Sequence, residues 1–214
     1  MKKNIFSDLD GTLTDSGEGI MKCAKLGLDH FGIGVPDYDA LRSFVGPPLR
    51  ESFVRFGVPA DRAEEAVAVF RSRYNTVGKY ENFPYPGIDT LLETLCREGY
   101  RLFVATSKPE VLAKDVLRHF ELDRYFVQIC GAASDISRDS KDQVIAYLLE
   151  QVGGREQAVM VGDTSYDVLG AKAHGIPTVG VSWGHGAVAD MEKAGAIAIA
   201  HSMEELLALL RRKL

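Results

Sequence analysis

This 214-residue chain lacks any apolar run that approaches the ~20 residues needed by a membrane-spanning helix. Its first residues, Met1-Lys2-Lys3-Asn4, also lack the long apolar stretch and the small-residue cleavage site of a signal peptide. The sequence therefore predicts a protein with no membrane partner, and we expect a cytoplasmic location.

Cysteine is scarce as well. Cys23, Cys96 and Cys130 are odd in number and far apart, and no CxxC motif or Cys/His pair occurs at metal-ligand spacing. This pattern argues against a disulfide framework and against a structural zinc site. The three thiols are typical of small apolar residues in a reducing compartment.

Basic residues are fewer than acidic ones: the chain has 25 Lys and Arg residues and 30 Asp and Glu residues, which gives a net charge of -5. A nucleic-acid-binding protein usually presents a basic face, so we expect no nucleic-acid partner. The GxGxxG motif of dinucleotide-binding enzymes is also missing after the first predicted strand, where Asp8-Leu9-Asp10-Gly11-Thr12 stands instead.

What the chain does contain is a regular alternation of extended and helical patterns. Strands are predicted at 4–9, 101–105, 126–130, 157–161, 177–181 and 195–199, and helices at 88–98, 109–119, 141–151, 166–174 and 202–212. Such alternation predicts an α/β fold whose core is a doubly wound, Rossmann-like parallel sheet.

Between the first two strands the pattern is helical and poor in strands. Helices are predicted at 17–31, 38–44, 48–56 and 60–79, and the stiff link Phe83-Pro84-Tyr85-Pro86-Gly87 follows. We therefore expect an α-helical cap at 16–83 inserted into a core formed by 1–15 and 84–214. Ligands of open α/β sheets bind at the carboxyl ends of the strands, where such an insert would act as a lid.

Four aspartates stand where apolar runs end. Asp8 and Asp10 close the first strand, and Asp163 and Asp167 follow strand 157–161. Carboxylates gathered at neighbouring strand ends repel one another unless a cation joins them, so the pattern indicates a divalent metal. A metal beside a spare carboxylate is typical of a nucleophilic site for phosphoryl transfer.

These motifs resemble those of the haloacid dehalogenase-like hydrolase superfamily. The similarity covers Asp8-Leu9-Asp10-Gly11-Thr12, then Thr106, then Lys141, then Gly162-Asp163-Thr164-Ser165-Tyr166-Asp167, in the family's order. Two further segments, Val45-Gly46-Pro47-Pro48-Leu49-Arg50-Glu51-Ser52 and Gly180-Val181-Ser182-Trp183-Gly184-His185-Gly186, resemble phosphoglycolate phosphatase-like members with a helical cap.

The resemblance implies a phosphatase in which Asp8 is the nucleophile and Asp10 is the general acid and base. Gly11 permits the sharp turn that follows, and Gly11 and Thr12 are expected to contact the substrate. Asp8, Asp163 and the backbone carbonyl of Asp10 would bind Mg²⁺ directly, since all three offer hard oxygen ligands. Asp167 would complete the site through water or by holding the family's lysine.

That lysine is Lys141, which the resemblance places beside Asp8 to neutralise the transferring phosphoryl group. Thr106 is expected to hold phosphate oxygens. Ser107 and Lys108 would contact the substrate, and Arg50 in the cap would reach its second anionic group. Lys108 and Arg50 are also compatible with ordinary surface roles, and the roles of Trp183 and His185 stay open.

The implied reaction is hydrolysis of a small phosphorylated metabolite, with phosphoglycolate as the first choice. A 5'-nucleotidase, a pyrophosphatase and a beta-phosphoglucomutase-like mutase remain alternatives, as does a binding protein without turnover. Mutases of that kind usually carry a histidine shortly after the first motif, and Asp15-Ser16-Gly17-Glu18-Gly19-Ile20 has none. Asp10 argues against a dehalogenase, and both a monomer and a homodimer are compatible with the sequence.

Overall fold

A computed structural model of the protein describes residues 3–35, 37–133, 137–152 and 158–213. The strands are β1 Asn4–Ser7, β2 Thr14–Asp15, β3 Phe83–Pro84, β4 Arg101–Pro109, β5 Phe126–Ala132, β6 Ala158–Gly162, β7 Thr178–Val181 and β8 Ala198–Ala200. The α-helices are α1 Gly17–His30, α2 Leu49–Arg55, α3 Ala63–Tyr74, α4 Ile88–Arg97, α5 Glu110–His119, α6 Lys141–Val152, α7 Ser165–Ala173, α8 Val188–Ala194 and α9 Met203–Lys213.

The chain forms two compact units. The first combines Met1–Thr14 with Pro84–Leu214, and the second is Asp15–Phe83. Across the described ranges, no helix is both long and apolar enough to cross a lipid bilayer.

The first unit is built on a six-stranded sheet in the order β5-β4-β1-β6-β7-β8. Each neighbouring pair in this sheet runs parallel. The order reverses direction at β1, which lies in the middle of the sheet between β4 and β6. The predicted doubly wound α/β fold is therefore confirmed, and β1 ends at the topological switch point where such sheets bind ligands.

Alternate residues of each strand enter two separate hydrophobic layers. On one face Ile5 packs among the apolar residues of α4, α5 and α9. On the other face its neighbour Phe6 packs against α6 and against Phe103 in an edge-to-face contact with centroids 5.6 Å apart. Because side chains alternate along a strand, burial on both faces requires the continuous apolar runs that the sequence shows.

The second unit has an aromatic core, with Phe53 at its centre. Its ring centroid lies 5.0 Å from that of Phe44 and 6.4 Å from that of Phe70. Within this unit the helix predicted at 38–44 is present, and it is a 3₁₀-helix, Tyr38–Phe44. The predicted helix 60–79 is shorter in the structure, where α3 covers Ala63–Tyr74 and a separate 3₁₀ turn covers Gly78–Tyr80.

Two further differences concern the end of the chain. The helix α8 was missed in the sequence, and strand 195–199 was predicted to start too early. The strand starts later than predicted because Gly195 adopts φ +107 and ends α8 in a left-handed cap, and β8 then begins at Ala198. The predicted strand 157–161 starts at a residue outside the described ranges, and β6 is described from Ala158 to Gly162.

A partly buried ion pair in the second unit predicts that the stability of the protein depends on pH. The Arg73 guanidinium donates to both oxygens of Glu81 at 2.6 and 2.9 Å, and Lys22 donates to one of them at 2.9 Å. These hydrogen bonds, those from Arg73 first, lower the pKa of Glu81 from 4.5 to about 2. A lowered pKa in the folded state means that the stabilisation is complete above pH 4.5 and is lost as the pH falls towards 2.

We therefore expect Glu81→Gln to reduce the free energy of unfolding by about 1–2 kcal/mol at pH 7, and by progressively less between pH 4.5 and pH 2. Urea denaturation of both proteins across this range measures the difference. Glu51→Gln, at an exposed position of α2, serves as the control and is expected to change little at any pH. A deficit of the same size at pH 7 and pH 3 would contradict the prediction.

Candidate active site

The site begins at the end of β1. The backbone N–H of Asp8 donates to the carbonyl of Val161 at 2.9 Å, which continues the pairing of β1 with β6 beyond Ser7. The chain then turns sharply, and Gly11 adopts φ +84 while its N–H donates to the carbonyl of Thr14 at 2.8 Å. A Cβ at Gly11 would lie 2.2 Å from Oδ2 of Asp163, so glycine is required by both conformation and space.

Lys141, the first residue of α6, connects three parts of the site. Its ammonium lies 2.8 Å from Oδ1 of Asp8 and 2.7 Å from Oδ1 of Asp167, and it donates to the carbonyl of Ala105 at 2.9 Å. Burial alone would lower the pKa of Lys141, but the charges of Asp167 and Asp8 outweigh it and raise that pKa above its usual value. The lysine therefore stays charged and holds the nucleophile that the sequence predicts.

Asp163 follows β6 and is fully buried. It accepts a hydrogen bond from the Thr12 hydroxyl at 2.9 Å on Oδ1 and one from the backbone N–H of His185 at 2.9 Å on Oδ2. Burial, followed by the charges of Asp167 and Asp8, raises its pKa to about 7. The two donors partly oppose this rise because they favour the ionised carboxylate.

Asp8 also has a raised pKa, which lies at about 6. Burial is the largest cause, the Lys141 ammonium opposes it, and the charge of Asp167 adds to it. Asp8, Asp163 and Asp167 each offer one oxygen, and these three oxygens lie within 4.8 Å of one another. Three buried carboxylates against one ammonium leave an excess of negative charge, and a divalent cation with a preference for oxygen ligands fits it.

Asp167 lies in the first turn of α7 and is completely buried. Its Oδ2 accepts hydrogen bonds from the backbone N–H and the hydroxyl of Thr164, at 3.0 and 2.8 Å, while its Oδ1 contacts Lys141. It therefore caps the helix and holds the lysine at the same time. The contact with Lys141 corresponds to one of the two roles that the sequence left open for this residue.

The segment after Ala105 differs from its prediction. Strand 101–105 was predicted too short, because β4 continues to Pro109 through an irregularity. Ala105 pairs with Cys130 and Pro109 with Ala132, so the four-residue step along β4 matches a two-residue step along β5. The residues between them, Thr106, Ser107 and Lys108, form a bulge at the carboxyl edge of the sheet.

Two of these bulge residues have defined contacts. The backbone N–H of Lys108 donates to Oγ1 of Thr106 at 3.2 Å, and the Lys108 ammonium donates to both oxygens of Asp10, each at 2.8 Å. This ion pair was not predicted from the sequence. The expected substrate contacts of Thr106, Ser107 and Lys108 stay predictions, as do those of Gly11 and Thr12.

The loop after β7 closes another side of the site. The indole N–H of Trp183 donates to the carbonyl of Thr12 at 3.2 Å, so the loop holds the turn that follows β1. A Cβ at Gly184 would lie 2.3 Å from the Cβ of Asp163 and 2.4 Å from the carbonyl oxygen of Gly11. The backbone of this loop thus contacts the aspartate directly, which requires a residue without a side chain.

Arg50 lies on α2 in the second unit, and its side chain is about half exposed. Its guanidinium donates to the carbonyl of Ala60 at 2.9 Å and lies 3.6 Å from a carboxylate oxygen of Glu64. Its expected contact with a second anionic group of the substrate stays a prediction.

Residues 5–181 match the family model described as haloacid dehalogenase-like hydrolase. The chain therefore belongs to this family, as its motifs indicated, and it is a hydrolase of the phosphatase type. The structure agrees closely with that of a predicted phosphatase from Clostridium acetobutylicum, with a TM-score of 0.94, 40% identity and 99% of each chain covered.

Three curated relatives carry different names. A 5'-nucleotidase of Pseudomonas aeruginosa is 44% identical over 86% of this chain and 84% of its own length. The tyrosine-protein kinase PtkA of Mycobacterium tuberculosis is 43% identical over 92% of this chain and 68% of its own. A phosphoglycolate phosphatase of Agrobacterium fabrum is 30% identical over 83% of this chain and 79% of its own length, in agreement with the subfamily resemblance.

Proposed function

We propose that this protein is a Mg²⁺-dependent phosphomonoesterase that hydrolyses a small phosphorylated metabolite through an aspartyl-phosphate on Asp8. The observation that carries the proposal is the position of Asp8 at the switch point of the sheet, in contact with the buried ammonium of Lys141. A carboxylate there is oriented and its charge is balanced, so that it can approach an anionic phosphoryl group.

In the first step one oxygen of Asp8 forms a bond to phosphorus and the bond from phosphorus to the ester oxygen breaks. The backbone N–H of Leu9 at 2.7 Å and Lys141 at 2.8 Å both contact Oδ1 of Asp8, so among the described contacts Oδ2 is the oxygen available for attack. Asp10, two residues along the turn, supplies the proton that the departing alcohol takes.

In the second step a water molecule attacks the phosphorus of the aspartyl-phosphate. Asp10, now ionised, takes a proton from that water as the bond to Asp8 breaks and phosphate leaves. Lys141 remains next to Asp8 throughout, which stabilises both the negative charge of the phosphoryl group and the regenerated carboxylate.

The proposed metal site consists of Asp8, Asp163 and the backbone carbonyl of Asp10, with Asp167 holding Lys141 behind them. This donor set contains oxygen alone, which suits Mg²⁺ better than zinc. When bound, the cation would neutralise phosphoryl oxygens and bring them to the carboxylate.

For the substrate we propose two candidates. Phosphoglycolate follows from the subfamily resemblance of the cap and of the Trp183 loop. A nucleoside 5'-monophosphate is supported by the greater identity to the Pseudomonas aeruginosa relative, 44% against 30%. The partner is in either case a small phosphorylated molecule, taken up by a monomer or a homodimer.

The relative named tyrosine-protein kinase supports a second candidate function, transfer of a phosphoryl group to a tyrosine hydroxyl. The two functions differ in the acceptor, which is water in a phosphatase and a phenolic hydroxyl in a kinase. With γ-labelled ATP and a tyrosine-containing acceptor protein, a kinase leaves the label on the acceptor in an alkali-stable form, whereas a phosphomonoesterase transfers none to it.

The experiment that tests the proposal is phosphate release from phosphoglycolate, nucleoside monophosphates, sugar phosphates and pyrophosphate, with Mg²⁺ or with EDTA. We expect release that depends on Mg²⁺, and the ranking of kcat/KM then identifies the substrate class. A folded protein that binds Mg²⁺ and releases phosphate from none of these compounds would contradict the proposal.

A further inference from the structure

The ion pair between Lys108 and Asp10 is unusually enclosed for a lysine. The side chain of Lys108 is 4% exposed and that of Asp10 is 16% exposed. Both carboxylate oxygens accept from the same ammonium at 2.8 Å. Exposed pairs of this type contribute little because water and side-chain entropy compete with them, but a pair with so little exposed surface restricts the carboxylate.

The backbone beneath Lys108 is equally restricted. A Cβ at Gly131 of β5 would come within 2.4 Å of the carbonyl oxygen of Lys108, so the two strands touch at this point. The hydrogen bond from the Lys108 N–H to Thr106 and the pairing of Pro109 with Ala132 hold the bulge from both sides. The ammonium therefore reaches Asp10 from a rigid part of the sheet.

We propose that Lys108 is a positioning residue that fixes the Asp10 carboxylate for its exchange of protons with the leaving alcohol. This inference rests on the proposed function of Asp10. It goes beyond the sequence-based expectation that Lys108 contacts the substrate, because the ammonium contacts described above go to Asp10.

If Lys108 acts through Asp10, the effect of Lys108 on the reaction rate depends on the leaving group. An alkyl alkoxide leaves slowly unless it receives a proton, whereas p-nitrophenolate leaves readily without one. A residue that acts through Asp10 therefore matters for alkyl phosphates and much less for p-nitrophenyl phosphate. A residue that binds the phosphoryl group matters equally for both, because both esters carry the same group.

The test compares wild type, Lys108→Met and Lys108→Arg with glycerol 1-phosphate and p-nitrophenyl phosphate. We measure kcat/KM, which covers the steps up to departure of the alcohol. Lys108→Met is expected to lower kcat/KM by about 10²-fold for the alkyl ester and by less than about 5-fold for the aryl ester. Lys108→Arg, which keeps the positive charge, is expected to recover most of the loss.

A double-mutant cycle separates action through Asp10 from any other role. With Asp10→Asn already present, Lys108→Met is expected to cause no further loss for the alkyl ester. The double variant also removes both charges of the pair, so it remains informative if Lys108→Met alone folds poorly. Lys114→Met on α5, where the lysine pairs with Glu110 near the surface, is the matched control and is expected to change neither ester.

Equal losses for both esters, or losses that add in the double variant, would overturn the inference and assign Lys108 to substrate binding. These results differ from a failure of the proposed function, in which wild type releases phosphate from neither ester. Melting temperatures of the variants show whether a loss reflects unfolding.

Discussion

Asp8→Asn is expected to lower kcat for phosphate release by about 10³-fold or more, because an amide oxygen cannot form the covalent aspartyl-phosphate. The fold is expected to persist. Asparagine keeps the size of the side chain, and its amide oxygen can still accept from Leu9 and Lys141, which reach Oδ1 at 2.7 and 2.8 Å. Lys141 also keeps its contact with Asp167 at 2.7 Å.

The measurement is steady-state phosphate release with the best ester, together with circular dichroism to confirm the fold. Asp61→Asn, an exposed aspartate of the second unit, serves as the matched control and is expected to retain full activity. A variant of Asp8 with activity near that of wild type would exclude the nucleophile assignment. Mass spectrometry after rapid acid quenching gives independent evidence, since a phosphoryl adduct should appear on wild type alone.

Lys141→Met is expected to remove activity and to destabilise the protein by about 3–5 kcal/mol, because a buried charge left without its partner is costly. The change leaves Asp8, Asp163 and Asp167 with oxygens within 4.8 Å of one another and without the ammonium that contacts two of them. Methionine is similar to lysine in length, so the cost comes mainly from charge and much less from a cavity.

The loss of stability should depend on pH. Asp8 and Asp163 already have raised pKa values of about 6 and 7, and loss of the ammonium raises that of Asp8 further. A carboxyl group whose pKa is raised on folding weakens the folded state increasingly as the pH rises from the unfolded to the folded pKa, and fully above the folded pKa. The deficit of Lys141→Met should therefore be smaller at pH 5 than at pH 8, as measured by urea denaturation in EDTA.

Lys193→Met, at an exposed position of α8, is the control for the loss of one positive charge and is expected to change stability little. Saturating Mg²⁺ is expected to reduce the deficit of Lys141→Met, since a bound cation replaces part of the missing positive charge. A deficit below about 1 kcal/mol at pH 8 in EDTA would contradict a stabilising role of the buried contacts of Lys141 with Asp8 and Asp167.

The fold could be predicted because the hydrophobic patterns that produce its strands and helices lie within short segments of the chain. Apolar strands such as Val159–Val161 are buried on both faces, and that burial produces an uninterrupted hydrophobic run. The aspartates were recognised for a related reason, since a carboxylate directly after such a run stands at the edge of the sheet. The pattern at Tyr38–Phe44 indicated a helix but not its kind, which is a 3₁₀-helix in the structure.

The contacts that complete the site could not be predicted in the same way. Trp183 lies 171 positions from Thr12, and the pairing of their atoms follows from the order of strands. The bulge that carries Lys108 depends on the register between β4 and β5, which no pattern within Thr106–Pro109 encodes. The motif order indicated which residues gather, and the three-dimensional packing determines which of them touch.

The hydrogen bonds to Asp163 also have a consequence for biosynthesis. The aspartate is held by the hydroxyl of Thr12 and by the N–H of His185, two residues that lie far apart in the sequence. On the ribosome, a nascent chain that has not yet exposed residue 185 lacks the N–H that holds Oδ2 of Asp163, whereas the helical insert is made of segments close together in sequence. Catalytic competence should thus be acquired only after residue 185 has left the ribosome.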